Sequence, residues 1–209
     1  IADVEIDDKI SFVIKKTEEI MEDSEYQGVR LSLDAYLDKT RIPLKIDIST
    51  GDVITPCEIS FSYQLMFENR TIPLLAYPPE TVLAEKLETI LSRGEANTRL
   101  RDFYDVYILQ REDFVVTPDA LCHALLATCR KRGHEDLLHT YASILDRVRQ
   151  SDTMRTQWMK YQSDFDYAAG ITWDTVLDTV ETLCMKTLDD HAFGDELPQE
   201  ESQFEMHLL

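Results

Sequence analysis

The chain changes character at Tyr77-Pro78-Pro79, and this break constrains the fold more than any other feature of the sequence. Before the break, β-branched and aromatic residues alternate with polar ones, which is the two-residue period of strands. After it, apolar residues recur at the three- and four-residue spacing of helices that bury one face. The sequence therefore predicts an α+β fold, in which a sheet comes first and a bundle of helices follows.

Five strands and six helices are predicted from these patterns. The strands cover residues 11–20, 26–36, 43–48, 59–67 and 71–76, with a hairpin turn at 68–70. A mostly antiparallel sheet is the simplest arrangement. The helices cover residues 80–92, a stretch from a cap at Asn97 or Thr98 to residue 110, a stretch from Pro118 that ends at Gly133, and residues 135–150, 152–167 and 173–188. The predicted domains are a sheet portion at 1–77, a helical domain at 78–188 and an acidic tail at 189–209.

The composition limits the classes of function that fit the chain. Its formal net charge is −19, which argues against a large surface that wraps nucleic acid, although a small basic pocket is compatible with it. No stretch approaches the roughly 20 apolar residues of a membrane span, so no membrane partner is expected. The cysteines fit no zinc pattern, Cys122 and Cys129 are expected in the core, and a reducing, cytoplasmic location is inferred.

Asp47 lies in the middle of a predicted strand, within Lys45-Ile46-Asp47-Ile48. Alternation places Lys45 and Asp47 on the face opposite to Ile46 and Ile48. A carboxylate on a rigid strand is what metal-assisted phosphoryl transfer needs, because Mg²⁺ takes hard oxygen ligands. For the strand taken alone, a solvated face that carries a Lys and an Asp is the simpler interpretation.

Lys86 and Arg93 lie seven residues apart on one face of the first predicted helix. Apolar residues flank Lys86 at helical spacing, so its stem is expected to be packed and its ammonium aimed. Two cations held in this way suit a triphosphate, since Lys supplies a compact charge and Arg a fork of donors. A surface helix on which Glu85, Lys86 and Glu88 form ordinary ion pairs fits the spacing equally well.

Asp102 falls on a helix that is apolar nearly all round. A carboxylate against apolar surface needs a partner, because unpaired burial is expensive. Arg99 on the same helix and Lys86 on the preceding helix are the candidate partners, whereas Asp105 is interpreted as a structural partner of Arg101. Such a pair is compatible with a purely architectural role and also with the perturbed groups of an active site.

Together, these segments resemble the AbiEii/AbiGii nucleotidyltransferase toxin family of type IV toxin–antitoxin systems. The family has a Lys-Leu helix that ends in Arg and is followed by Arg-x-Lys-Asp-x-x-Asp. The matching residues here are Ala76-Tyr77-Pro78-Pro79-Glu80, Ala84-Glu85-Lys86-Leu87, Ser92-Arg93, Asn97-Thr98-Arg99-Leu100-Arg101-Asp102-Phe103-Tyr104-Asp105 and, upstream, Lys45-Ile46-Asp47-Ile48-Ser49-Thr50-Gly51-Asp52. Arg101 stands where the family has Lys, and the resemblance ends near Leu109. The composite motif is specific, although each piece alone would be weak.

The resemblance implies a polymerase-β-like nucleotidyltransferase fold and transfer of a nucleotide from an NTP, with Mg²⁺, to an acceptor such as tRNA. It also implies an antitoxin protein as a partner. Carried over to this sequence, Asp47 would be a metal-site carboxylate, Lys86 would hold the triphosphate and Asp102 would be the essential acid. The NTP-binding residues would be Lys86, Arg93, Arg99 and Arg101.

One part of the family pattern is not found in the sequence. A Gly-Ser or Gly-Gly turn and an Asp-x-Asp strand should precede these segments, whereas the residues from Ile1 onward align with a later part of the family. The resemblance is therefore to an N-terminally truncated member. Without two of its three carboxylates a two-metal site cannot assemble. We expect Mg²⁺ only where the missing motif is present, and we expect this chain by itself to be inactive.

Two other functions stay open for the sequence. A non-catalytic binding module would keep the fold and contact an antitoxin or RNA. A plain interaction domain would use the Lys86–Asp102 pair only as structure, and apolar replacements of both residues would then leave stability unchanged or better.

Overall fold

The computed structural model describes residues 9–20, 28–49, 51–111 and 116–189. Within them the chain forms small antiparallel sheets and six α-helices, so the predicted α+β class is confirmed. Contacts divide the chain into two compact units between Asp52 and Val53. The domain limits predicted at residues 77 and 188 stay predictions, and the tail from residue 190 lies outside the described residues.

The first unit contains a three-stranded antiparallel sheet in the order β1-β2-β3. Its strands are β1 (Ile10–Ile20), β2 (Gly28–Leu37) and β3 (Thr40–Ile48). β2 and β3 are joined at Asp38-Lys39, where Asp38 has a φ of 52°, a conformation that Asp tolerates in turns. This tight turn lets Leu37 pair with Thr40, so β3 begins three residues before its predicted start. In the resulting register, Arg30 lies opposite Asp47.

The second unit begins with an antiparallel hairpin. Its strands are β4 (Ile59–Gln64) and β5 (Thr71–Ala76). The prediction that the fourth strand runs to residue 67, with a turn at 68–70, is wrong, because pairing stops at Gln64 and residues 65–70 form the loop. The Gln64 side-chain amide donates to the carbonyl oxygen of Glu68 at 2.8 Å. The loop thus satisfies backbone acceptors that a longer strand would have paired.

Six α-helices follow the hairpin. They are α1 (Pro79–Arg93), α2 (Leu100–Leu109), α3 (Pro118–Lys131), α4 (Leu137–Gln150), α5 (Asp152–Asp164) and α6 (Trp173–Leu188). The predicted starts of α3, α5 and α6 are confirmed: the side chains of Thr117, Ser151 and Thr172 accept a backbone N–H three residues on. In the described part of the chain, none of these helices is long and apolar enough to cross a bilayer.

The residues that limit two helices differ from the prediction. α2 starts at Leu100, because the Asn97 side chain accepts the Arg99 N–H at 2.7 Å in a turn before the helix instead of capping it. α5 ends at Asp164 and not at residue 167. Phe165 leaves the helix with φ −135° and ψ 106°, and its ring packs against Tyr161 at a centroid distance of 4.7 Å.

The core of the second unit lies around α1. This helix packs against α2 and α3, and α2 packs against α6. The ring of Phe103 on α2 lies 5.1 Å from that of Trp173 on α6, and the Trp158 indole N–H of α5 donates to the Ile171 carbonyl at 2.8 Å. Cys122 and Cys129 are buried, as predicted. The packing therefore fixes where the polar residues of α1, α2 and α5 meet.

Candidate functional site

Lys86 connects α1 to α2 through two carboxylates. Its Nζ lies 3.2 Å from Asp102 Oδ1 and 2.6 Å from Asp105 Oδ2, and the three side chains are 15–22% exposed. The predicted contact between Lys86 and Asp102 is present. Asp105, interpreted from its spacing as a partner of Arg101, lies closer to Lys86, since the Arg101 Nε is 3.7 Å away. One partly buried ammonium is therefore shared between two carboxylates on one face of α2.

Asp102 keeps one oxygen without a partner. Its Oδ2 is buried and accepts no hydrogen bond from the described residues, and the same holds for Oε1 of Gln157 on α5. A buried acceptor left unpaired costs about 1–3 kcal/mol, and native structures contain few of them. A ligand that brings hydrogen-bond donors would recover this cost once the side chain turns its oxygen toward the ligand.

Asp102 and Gln157 both line a pocket of about 510 Å³ between the start of α2 and the second half of α5. This volume is in the range of small-molecule sites. The lining consists of residues 98–102 together with Gln157, Lys160, Tyr161, Asp164 and Phe165. The side chains of Arg99 and Lys160 form no ion pair with the described residues. The pocket thus contains two cationic side chains without an ion pair and two side chains with an unpaired acceptor oxygen, among the described residues.

The start of α2 adds to the positive side of this pocket. Arg99 occupies the capping position, and no side chain of the described residues forms a capping hydrogen bond there. The unsatisfied N–H groups and the dipole at a helix start favour anions. With Arg99, Arg101 and Lys160 nearby, the pocket can hold a ligand that carries both an anionic group and hydrogen-bond donors.

Asp47, in the first unit, is paired with Arg30 across the sheet. The Arg30 Nε lies 2.6 Å from Asp47 Oδ1, and the Arg30 Nη2 lies 2.7 Å from Asp47 Oδ2. These hydrogen bonds hold the pKa of the Asp47 carboxyl below its ordinary value. Among the described residues, no group of three or more His, Cys, Asp or Glu side chains is placed to hold a metal ion. The described residues therefore do not fit Mg²⁺.

The charged residues of α1 are not those of a surface helix. Glu88 is only 2% exposed. It accepts a hydrogen bond from Arg132 and lies 2.6 Å from His134 Nδ1, in the segment between α3 and α4. The interpretation of α1 as a surface helix with ordinary ion pairs is therefore wrong.

The family follows from comparison with known proteins. The sequence model of the family described as "Nucleotidyl transferase AbiEii toxin, Type IV TA system" matches residues 1–179. The chain belongs to the AbiEii family. No curated protein and no solved structure gives a significant match. Membership of the AbiEii family implies nucleotidyltransferase activity in general, a nucleotide substrate and an antitoxin partner.

The AbiEii match extends well past Leu109, where the resemblance read from the sequence ends, and it includes every residue that lines the pocket. Of the residues carried over from the resemblance, those that line the pocket are Arg99, Arg101 and Asp102, and Lys86 is bonded to Asp102. Arg93 is exposed at the end of α1 and does not line the pocket. The roles of all these residues stay predictions.

Five residues of this AbiEii pocket are not predicted from the sequence: Gln157, Lys160, Tyr161, Asp164 and Phe165. They belong to the helical remainder, where the family motif as read from the sequence gives no guide. The one local signal is position, since Gln157 and Lys160 flank the buried residues Trp158 and Tyr161. Polar residues beside a buried aromatic stripe lie at the edge of a packed face, which is where pocket walls form.

Proposed function

We propose that this chain is a nucleotidyltransferase-like toxin with a polymerase-β-like fold, of the kind that transfers a nucleotide from an NTP to an acceptor such as tRNA, and that these 209 residues by themselves are inactive. Family membership supports the class of reaction. The observation that carries the proposal is the Lys86–Asp102–Asp105 cluster. It lies beside a pocket in which the side chains of Arg99 and Lys160 form no ion pair with the described residues. A cytoplasmic location and control by an antitoxin protein belong to the same proposal.

In this proposal Lys86 holds the triphosphate without leaving its carboxylates. An ammonium has three donors, and two of them are directed at Asp102 and Asp105. The third is left for a phosphate oxygen. Because the Lys86 side chain is only 20% exposed, it is largely ordered before a ligand arrives. Arg99 and Arg101 add planar forks that match phosphate oxygens, and Arg93 supports them from the end of α1.

Asp102 is the proposed acid of the site, because it lines the pocket and has an oxygen free to accept. Asp47 is the proposed metal-site carboxylate. Transfer of this kind uses Mg²⁺ held by several carboxylates, and Asp47 would have to release Arg30 to take part. The 209 residues contain no Gly-Ser or Gly-Gly turn followed by Asp-x-Asp. We therefore expect them to bind an NTP without transferring it.

Calorimetric titration with each of the four NTPs, in the presence of Mg²⁺, tests the binding step. We expect at least one NTP to bind and Lys86→Ala to abolish that binding. Lys186→Ala is the matched control, since Lys186 is an exposed lysine on α6. Thermal melting of each variant verifies that it is folded.

Transfer is tested with radiolabelled NTPs and total tRNA, on the 209-residue chain and on an AbiEii family member whose sequence contains the Gly-turn and Asp-x-Asp motif. We expect label in tRNA only where the Gly-turn and Asp-x-Asp motif is present. If the 209-residue chain binds none of the four NTPs, the nucleotidyltransferase proposal is wrong. A non-catalytic module that contacts an antitoxin or RNA then replaces it.

A further inference from the structure

The pocket between α2 and α5 has two chemically different parts. One is cationic, with Arg99, Lys160 and the uncapped start of α2. The other accepts hydrogen bonds, through the unpaired Oδ2 of Asp102 and Oε1 of Gln157. A bare phosphate or triphosphate satisfies the first part and leaves the second unpaired. A ligand that satisfies both must join an anion to donor groups.

Gln157 stands apart from the phosphate-binding residues. It is on α5, it is neutral, and its buried oxygen lacks a donor among the described residues. A carboxamide is the side chain that pairs with the edge of a nucleobase, because it presents one acceptor and one donor side by side. An exocyclic amino group on the base is the donor that its oxygen needs.

An aromatic surface lies beside Gln157 in the same lining. Phe165 follows the end of α5 and is 42% exposed, and its ring contacts Tyr161, which is almost fully buried. Any of the four nucleobases can stack on a half-exposed ring of this kind, because every base has a π-face. Stacking supplies affinity, and the hydrogen bond to a neighbouring polar residue supplies discrimination between bases.

We infer that this pocket holds the nucleoside end of the substrate NTP and that Gln157 is a specificity-determining residue, whose carboxamide turns toward the pocket and accepts a hydrogen bond from the exocyclic amino group of the base. This inference rests on the proposed function, since it concerns the same substrate. Lys160 binds phosphate oxygens, and the Phe165 ring packs against the base. Among the four NTPs, UTP lacks the amino group and binds most weakly.

The test compares one NTP with its analogue that lacks only the exocyclic amino group, by calorimetry on wild type and on Gln157→Leu. In the wild type, deleting the amino group raises Kd about tenfold, the effect of one good hydrogen bond. In Gln157→Leu the NTP binds about tenfold more weakly than in wild type. The analogue then binds as well as the NTP does, because the two changes remove the same bond.

Two controls separate the parts of the pocket. Gln150→Leu, an exposed glutamine on α4, leaves both affinities unchanged. Lys160→Gln weakens tripolyphosphate and all four NTPs by the same factor and leaves the amino-group effect intact. Since Gln157→Leu removes an unpaired buried acceptor, its melting temperature is expected to stay at or above that of wild type.

The outcomes that contradict the inference are distinct from those that contradict the proposed function. If the wild type binds NTPs through Lys86 but shows no preference for the amino group, the inference about Gln157 is wrong and the proposed function stands. The same conclusion follows if Gln157→Leu weakens the NTP and the analogue equally. If the wild type binds no NTP at all, the proposed function is wrong and the inference falls with it. If Gln157→Leu does not fold, Gln157→Met takes its place in the comparison, since it keeps the length of the side chain and removes the acceptor.

Discussion

Asp47 in the first unit and Asp102 in the second are both predicted site carboxylates, and their surroundings differ. Asp47 is half exposed and has both oxygens bonded to one guanidinium, at 2.6 and 2.7 Å. Asp102 is 15% exposed and shares an ammonium with Asp105, while its second oxygen has no described partner. A carboxylate with all its acceptors satisfied is explained by the sheet around it. The second oxygen of Asp102 is buried and lacks a hydrogen-bond donor among the described residues. A ligand in the adjoining pocket could supply that donor.

The largest effect is expected from removing the shared cation. Lys86→Met keeps the apolar stem but leaves Asp102 and Asp105, both partly buried, without the cation that they share. We expect a loss of about 1–3 kcal/mol in the free energy of unfolding, because each carboxylate loses a charge-assisted bond. Thermal or urea unfolding measures this, and Asp102→Asn in the same background should recover part of the loss. A variant as stable as wild type would mean that the ion pairs are neutral in net effect, as exposed pairs are.

A comparison between the two carboxylates of α2 gives the next largest effect. Asp102 lines the pocket and Asp105 does not. Asp102→Asn should therefore weaken the best-binding NTP about tenfold, which corresponds to about 1.4 kcal/mol. Asp105→Asn should change the affinity less than about threefold while lowering the melting temperature. Equal losses of affinity in calorimetry would show that both residues act through Lys86 alone.

Asp47→Asn tests whether the first unit contributes to stability, NTP binding or transfer. The Arg30–Asp47 pair is exposed, and exposed pairs contribute little to stability, so we expect only a small fall in melting temperature. NTP affinity measured without Mg²⁺ should be the same as in wild type. In an AbiEii family member that transfers nucleotides, substitution of the aspartate that matches Asp47 should abolish transfer if this position holds a metal. Retained transfer would remove Asp47 from the list of catalytic residues.

The smallest expected effect is the pH dependence of the Arg30–Asp47 pair. Arg30 lowers the pKa of Asp47 in the folded chain, so the unfolded state binds the proton at higher pH than the folded state does. The stabilising contribution is therefore present above the ordinary Asp pKa of about 4 and is lost as the pH falls through the lowered value. The difference in melting temperature between wild type and Asp47→Asn should shrink from neutral pH toward pH 3. A difference that stays constant would show that the pair does not contribute through its charge.

Local chemistry explains which parts of the fold the sequence predicts. β1, β5, α1, α3 and α6 have limits close to the predicted ones, because alternation, Pro at a first turn and a Thr cap act within a few residues. The end of β4 and the end of α5 are different. Gln64 closes a loop with its side chain, and Phe165 leaves its helix to pack on another ring. Both depend on contacts that periodicity does not contain.

The candidate site also has one part that the sequence predicts and one part that it does not. The Lys86–Asp102 contact is predictable, because a carboxylate on an apolar helix requires a partner and the preceding helix supplies one. The contribution of α5 is not predictable. Gln157 lies 55 positions after Asp102 in the sequence, and only the packing of aromatic side chains such as Trp158 brings the two helices to one pocket.

The burial of Glu88 has a consequence for the energetics of ligand capture. Lys86 and Glu88 are two residues apart, so they project from α1 about 200° from each other. One is bonded to α2, and the other to the segment that carries Arg132 and His134. Rotation of α1 about its own axis is therefore resisted from both sides. An ammonium that is already immobilised loses little conformational entropy when a ligand arrives, so more of the binding free energy is retained as affinity.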